Sequence, residues 1–186
     1  MPFLLLKNLP RFECLIEASK RHPTLNPSAC AAFLNLLHTG DLLFEKKGEY
    51  LGAHRISDGR FNVMMLLLMR KPDGCGAAEL ADCAGVSRAT MSGLLDVLER
   101  DGRVQREPEP EDRRAVRVAL TEKGRAEMEA LLPGYFERVT EMMEPLSERE
   151  LKQLVQLLQK IQASLSSPDA QPEPPVCVQN AVKTTA

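Results

Sequence analysis

The chain has 186 residues, enough for one domain with a sizeable core, and a formal net charge of -2, so any affinity for a polyanion must come from a local feature. With no Trp, two Tyr and six Phe, its composition argues against a β-sandwich and for a helical protein with an aliphatic core. No apolar run reaches the roughly 20 residues that cross a bilayer. "MPFLLLKNLP" is too short for a signal peptide and is broken by Lys7 and Pro10, so a soluble cytoplasmic protein that avoids the membrane is expected. The five cysteines, Cys14, Cys30, Cys75, Cys83 and Cys177, are odd in number and never form C-x-x-C, which speaks against a disulfide framework or a closed zinc site.

In chain order, Phe12 to Lys20 predicts a short helix that "HPTLNPSAC" interrupts. Asn26 followed by Pro27 is a helix start, because Asn accepts from orphan amides and Pro suits the first turn. Cys30, Phe33, Leu34, Leu37, Leu42, Leu43 and Leu51 then form the stripe of a long helix ending before Ser57, with Gly40 and Gly48 expected to disturb its straightness. Ser57 opens a helix whose Phe61, Met64, Met65, Leu67 and Leu68 are apolar nearly all round, the pattern of a buried helix, and "RKPDGCG" ends it. Two compact helical pieces follow, Ala77 to Ala84 and Arg88 to Asp101. "RVQREP" and "AVRVAL" then alternate with period two, as the strands of a hairpin do. The acids and prolines of "EPEPED" resist strand pairing and mark its exposed tip. Thr121 is placed to cap a helix running to Pro145, bent near Pro133 and Gly134, and "SERE" (Ser147 to Glu150) is a capping box. The last helix carries Leu151, Leu154, Leu158, Ile161 and Leu165 at three and four spacing. Such a seam serves an intramolecular core or a second copy equally well. The Pro-rich residues 167–186 have little to bury and are expected to be a disordered tail.

The chemistry lies in "AAELADCAGVSRATMSGLLDVLERDG". Leu80 and Ala81 on one helix, Gly85 at the turn, Val86 expected beneath it and Ser87 capping the next helix make a helix-turn-helix pattern. Leu94, Leu95 and Leu98 pin the second helix, leaving Arg88, Ala89, Thr90, Ser92 and Gly93 outward at an end that is small, polar and cationic, suited to a major groove. A plain helical hairpin would show the same pattern. The segment after the second helix discriminates: a hairpin with Arg113 and Arg114 at its tip and Arg117 on its second strand makes a wing, whose arginine can enter a narrow minor groove.

The run from Gly85 to Gly124 resembles the MarR family of bacterial transcriptional regulators. Asp112, Arg113, Arg114 and Ala115 match its D-x-R-A wing motif, and Leu120, Thr121 and Gly124 match L-T-x-x-G. The resemblance covers about residues 28 to 165. It implies a mainly α fold with a small β-hairpin wing, a winged helix-turn-helix with an α-helical dimerisation region. Residues 1–56 would be N-terminal dimerisation helices, 57–120 the DNA-binding lobe and 121–166 C-terminal dimerisation helices. It further implies a homodimeric repressor on double-stranded DNA with a pseudo-palindromic operator, its reading heads on the order of 34 Å apart. By position, Arg114 would be the minor-groove arginine and Asp112 the acid that orients the wing. Ser87, Arg88, Thr90 and Ser92 would meet bases and phosphates, while Gly93 departs from the longer polar or basic residue of many relatives. Lys123 could touch a phosphate, although a solvated lysine explains it as well.

Family members often respond to small aromatic anions or to oxidants through a cysteine. By that resemblance, His38, His54 and Arg60 are candidates for an effector pocket, and Cys14 and Cys30 for a redox sensor. A surface histidine, a salt-bridged arginine and an inert cysteine are the structural alternatives, and Cys83 reads as packing. No cofactor is expected. An enzyme is not expected either, since no nucleophile with a paired base, no metal cluster and no phosphate-binding Gly loop occurs. The alternative from another class is a winged-helix module that meets an acidic protein surface.

Overall fold

A computed structural model describes residues 8–70, 74–108 and 116–165, and the chain divides into two compact units between Asp58 and Gly59. In the first unit, helix α1 (Phe12–Arg21) precedes helix α2 (Pro27–Ala53). Asn26 is extended and its side chain accepts the Ala29 amide at 3.1 Å, while Pro27 occupies the first turn, where its missing N–H costs nothing. Gly40 and Gly48, expected to disturb α2, lie inside one continuous helix, and a Cβ on either would meet nothing within 4 Å. The chain leaves α2 through Arg55, a non-glycine residue at φ 55°, and Ile56 donates back to the Leu51 carbonyl at 3.1 Å. Lys47 and Asp58 pair at 2.7 Å, and Leu15, Leu51 and Ile56 are buried.

The second unit contains all but the first residue of helix α3 (Asp58–Leu68), strand β1 (Cys75–Gly76), helices α4 (Ala77–Ala84) and α5 (Arg88–Arg100), strands β2 (Val104–Pro108) and β3 (Val116–Leu120), and helices α6 (Glu122–Met143) and α7 (Glu148–Leu165). Phe61, Val63, Met64 and Leu67 bury α3, as its all-round apolar pattern predicts. The expected two-stranded hairpin is a three-stranded antiparallel sheet in the order β1-β3-β2, with Cys75 opposite Val118 and Gly76 opposite Arg117. Two residues cannot display a period of two, so the sequence carried no signal for β1. Val104, Val118 and Leu120 point inward from the sheet to join Leu80, Ala81, Met91, Leu95, Leu98, Met128 and Leu131 in the core. Fully burying each of the larger side chains contributes about 1.5–3 kcal/mol.

Other expectations are corrected. Val86 is half-buried rather than covered, and Leu94 is half-buried where Met91, unassigned in the sequence, is completely buried. Cys83 is exposed, and among the described cysteines it is Cys75 that is buried. Helix α6 is continuous through Pro133 and, as expected, ends just before Pro145, at Met143. The capping box forms as expected, with the Ser147 amide donating to Glu150 Oε2 at 2.9 Å. The tail at 167–186 lies outside the described residues. No described helix is long and apolar enough to cross a membrane.

Candidate nucleic-acid interface

The turn between α4 and α5 is built by backbone geometry. Gly85 takes φ 63°, its amide donates to Asp82 O at 3.2 Å, and the Val86 amide donates to Ala81 O at 3.1 Å, so the chain reverses while the last carbonyls of α4 stay satisfied. Ser87 is extended; its Oγ accepts the Thr90 amide at 3.1 Å and lies 2.9 Å from Thr90 Oγ1. Met91, Leu95 and Leu98, at four and three spacing, are completely buried and fix which way α5 faces. Ser87, Arg88, Ala89, Thr90, Ser92 and Gly93 are consequently all exposed. The first turn of α5 carries no acid, so the positive end of the helix dipole is not cancelled there.

The other end of α5 is tied down by a set of ion pairs that sequence reasoning missed. Asp101, the C-cap residue, has Arg103 Nη1 at 3.4 Å and Arg60 Nη1 at 3.6 Å from its carboxylate, and Lys123 Nζ donates to its carbonyl at 2.7 Å. Three elements thus converge on one residue. Lys123 is largely exposed and satisfies the carbonyl of Asp101 at the end of α5, a partner that the sequence did not indicate. Arg103 also reaches Glu127 Oε2 at 2.7 Å, joining the entry of β2 to α6. Arg106, on β2, reaches back to α5 with Nη2 2.7 Å from Asp96 Oδ1 and 3.4 Å from the Ser92 carbonyl, and Nη1 3.0 Å from Glu99 Oε2. Acids three residues apart on one helix face, met by a forked cation from another element, form a pattern that only the hairpin register reveals.

Arg117 is on β3 opposite Glu107, half-buried. Asp112, Arg113 and Arg114 lie outside the described residues. The return to helix is tightly fitted: Thr121 Oγ1 accepts the Gly124 amide at 3.0 Å and donates to Gly102 O at 2.7 Å, and Gly124 lies against the backbone of Arg103. The glycine of L-T-x-x-G is therefore required by close approach.

His54 is exposed, with its ring centroid 4.5 Å from that of Tyr50 and Nδ1 2.9 Å from the Tyr50 carbonyl, while His38 is half-buried in α2. Arg60 belongs to the Asp101 cluster. Cys14 is exposed and Cys30 half-buried. Arg70 contacts Glu79 and places Nη2 2.9 Å from Cys83 Sγ, and an apolar hollow of about 340 Å³ between α3 and α5 is lined by Gly59, Asn62, Leu66, Met69, Cys83 and Leu94. Burial raises the Cys75 thiol above its ordinary pKa, opposed by the nearby Arg70 guanidinium. Among the described residues, no group of three or more His, Cys, Asp or Glu could hold a metal ion.

Comparison with known proteins places this geometry. Residues 56–115 match the family model described as the MarR family. The chain is 33% identical over 153 residues to the HTH-type transcriptional repressor YetL of Bacillus subtilis, an alignment that takes in 82% of this chain and 92% of that protein. Its fold is similar to that of AbsC, a MarR family transcriptional regulator from Streptomyces coelicolor, with TM-score 0.71 and 22% identity over 76% of this chain and 96% of the other. It also resembles a mutant of MarR from E. coli complexed with operator DNA, with TM-score 0.61 and 28% identity over 68% of this chain and 91% of that one. The capped helix-turn-helix, the adjoining sheet and these similarities together make the chain a member of the MarR family of transcriptional regulators.

Proposed function

We propose that this protein is a homodimeric, sequence-specific repressor that inserts the N-terminal end of α5 into the major groove of a pseudo-palindromic operator and releases it on an effector signal. The observation that carries this reading is the exposed set Ser87, Arg88, Ala89, Thr90, Ser92 and Gly93 at a capped helix terminus free of acids. Arg88, Thr90 and Ser92 would supply hydrogen bonds to bases and phosphates, and Ser87 would hold the terminus in shape. Arg113 and Arg114, in the wing motif, would enter the flanking minor groove with Asp112 as orienting acid, and Arg117 would support them from β3. The relative solved with operator DNA supports the DNA partner. Dimerisation is supported by the apolar side chains that α7 leaves exposed, among them Leu154, Ile161 and Leu165. For release, a small aromatic anion near His38, His54 or Arg60, or oxidation at Cys14 or Cys30, is the mechanism to test first; the exposed Cys14 thiol is accessible to an oxidant.

Fluorescence anisotropy with duplex DNA from the protein's own promoter region tests the reading. Arg114→Ala should weaken binding by roughly 10- to 100-fold, with the circular dichroism spectrum unchanged. Wild-type affinity in that variant would remove the wing from the interface. No binding by the wild type even at low salt would favour the protein-interaction module instead.

A further inference from the structure

Arg106 is a cation on the strand that leads into the wing. The structure commits it to α5. Its guanidinium lies within 2.7 Å of Asp96 and 3.0 Å of Glu99 and reaches the Ser92 carbonyl at 3.4 Å, and its side chain is only 27% exposed. Two carboxylates surround one cation, so little positive charge is left for a phosphate. The same contacts explain an oddity of α5, which carries acids on a helix meant to approach a polyanion: Asp96 and Glu99 have an internal partner. The planar fork suits this role, because it engages separate acceptors on successive turns of the helix at once, which a lysine cannot do with fixed geometry. In β2, Arg106 is registered opposite the completely buried Val118, so its side chain stands on the same face of the sheet as Val104 and Val118, and the clamp continues the contact that this face makes with the core.

We propose that Arg106, with Asp96 and Glu99, is a positioning clamp that fixes the angle between the recognition helix and the wing, and that sequence discrimination depends on it without contact to DNA. The proposal rests on the DNA-binding reading of α5 and the wing. Residues Ser87 to Ser92 and the wing must meet two grooves of one duplex simultaneously, so a change in their relative orientation weakens the specific complex. Non-specific binding, which needs only a cationic surface near phosphates, is much less sensitive.

The test compares the duplex that the full-length wild-type protein enriches from a random 30-base-pair pool with a scrambled duplex of the same composition. Arg106→Gln should reduce the ratio of specific to scrambled affinity by roughly tenfold, leaving the slope of log affinity against log salt unchanged. A parallel loss on both duplexes with a slope smaller by about one would make Arg106 a phosphate ligand and overturn the clamp. The double variant Asp96→Asn with Glu99→Gln opposes the two ideas directly. If the acids merely repel DNA, it binds both duplexes more tightly at a constant ratio, and the clamp is wrong. If they hold Arg106, the ratio falls as in Arg106→Gln, despite the gain in positive charge. Hydrogen exchange of the β2 and β3 amides provides a measurement independent of DNA, with at least tenfold faster exchange expected in Arg106→Gln. Unchanged exchange overturns the clamp. Should the wild type enrich no sequence, the DNA-binding reading fails, and the exchange rates alone decide whether Arg106 fixes the hairpin.

Discussion

At Gly124 the backbone of Arg103 occupies the space where a Cβ would lie, whereas at Gly93 a Cβ would meet nothing within 4 Å. Two glycines 31 positions apart therefore behave oppositely. Gly124→Ala must push apart the start of α6 and the entry to β2, and should cost about 2 kcal/mol or more. Gly93→Ala replaces a helix-interior glycine and should stabilise by about 0.5–1 kcal/mol. Thermal melts of the two variants, one lower and one higher than the parent, check both. Cys75 gives a pH dependence. Its folded pKa is raised by burial above the unfolded value, so its contribution to stability is full below the unfolded thiol pKa, about 8.5, and is lost as pH rises through the folded pKa. Cys75→Val should flatten the alkaline decline of Tm that begins above the unfolded thiol pKa, read by melts at fixed salt. An alkaline decline identical in the variant would mean that another group causes it.

Elements were legible where hydrophobic period and capping chemistry agreed. Asn26-Pro27, Ser87, Thr121 and Ser147 each begin a helix as their side chains predict, because a cap is a local event within three residues. The buried face of α5 was only partly legible: Met91 does the packing that the sequence assigned in part to Leu94, since a three-versus-four choice on a helix is settled by what stands opposite. Strand β1 was invisible, being too short for a pattern. The ion pairs that join elements were also invisible, because Arg106 meets acids seven and ten residues earlier only once the strand turns back along the helix. Lys123 shows the same limit, its partner being a backbone carbonyl 22 residues away.

For the whole molecule, the outstanding feature is α7, none of whose residues is buried although Leu154, Val155, Leu157, Ile161 and Leu165 are exposed on it. An apolar row of that length at the surface of one chain is expected to be covered by another. Periodicity could not choose between the two uses of this seam, because it reports which face is apolar and not what lies against it. Replacing Leu154 and Ile161 together by Glu should shift the concentration for half-dimerisation upward by at least roughly 100-fold, measured by analytical ultracentrifugation, with helix content retained. A variant that dimerises as tightly as the parent would remove the seam from the interface. The division of duties along α5 bears on how such a regulator changes over generations. Met91, Leu95, Leu98 and Asp101 answer to the interior and to neighbouring elements, while positions 88, 89, 90, 92 and 93 answer to almost nothing within the protein. On the proposed reading of α5, changes in the latter set would alter the target sequence while the scaffold that carries them stays the same.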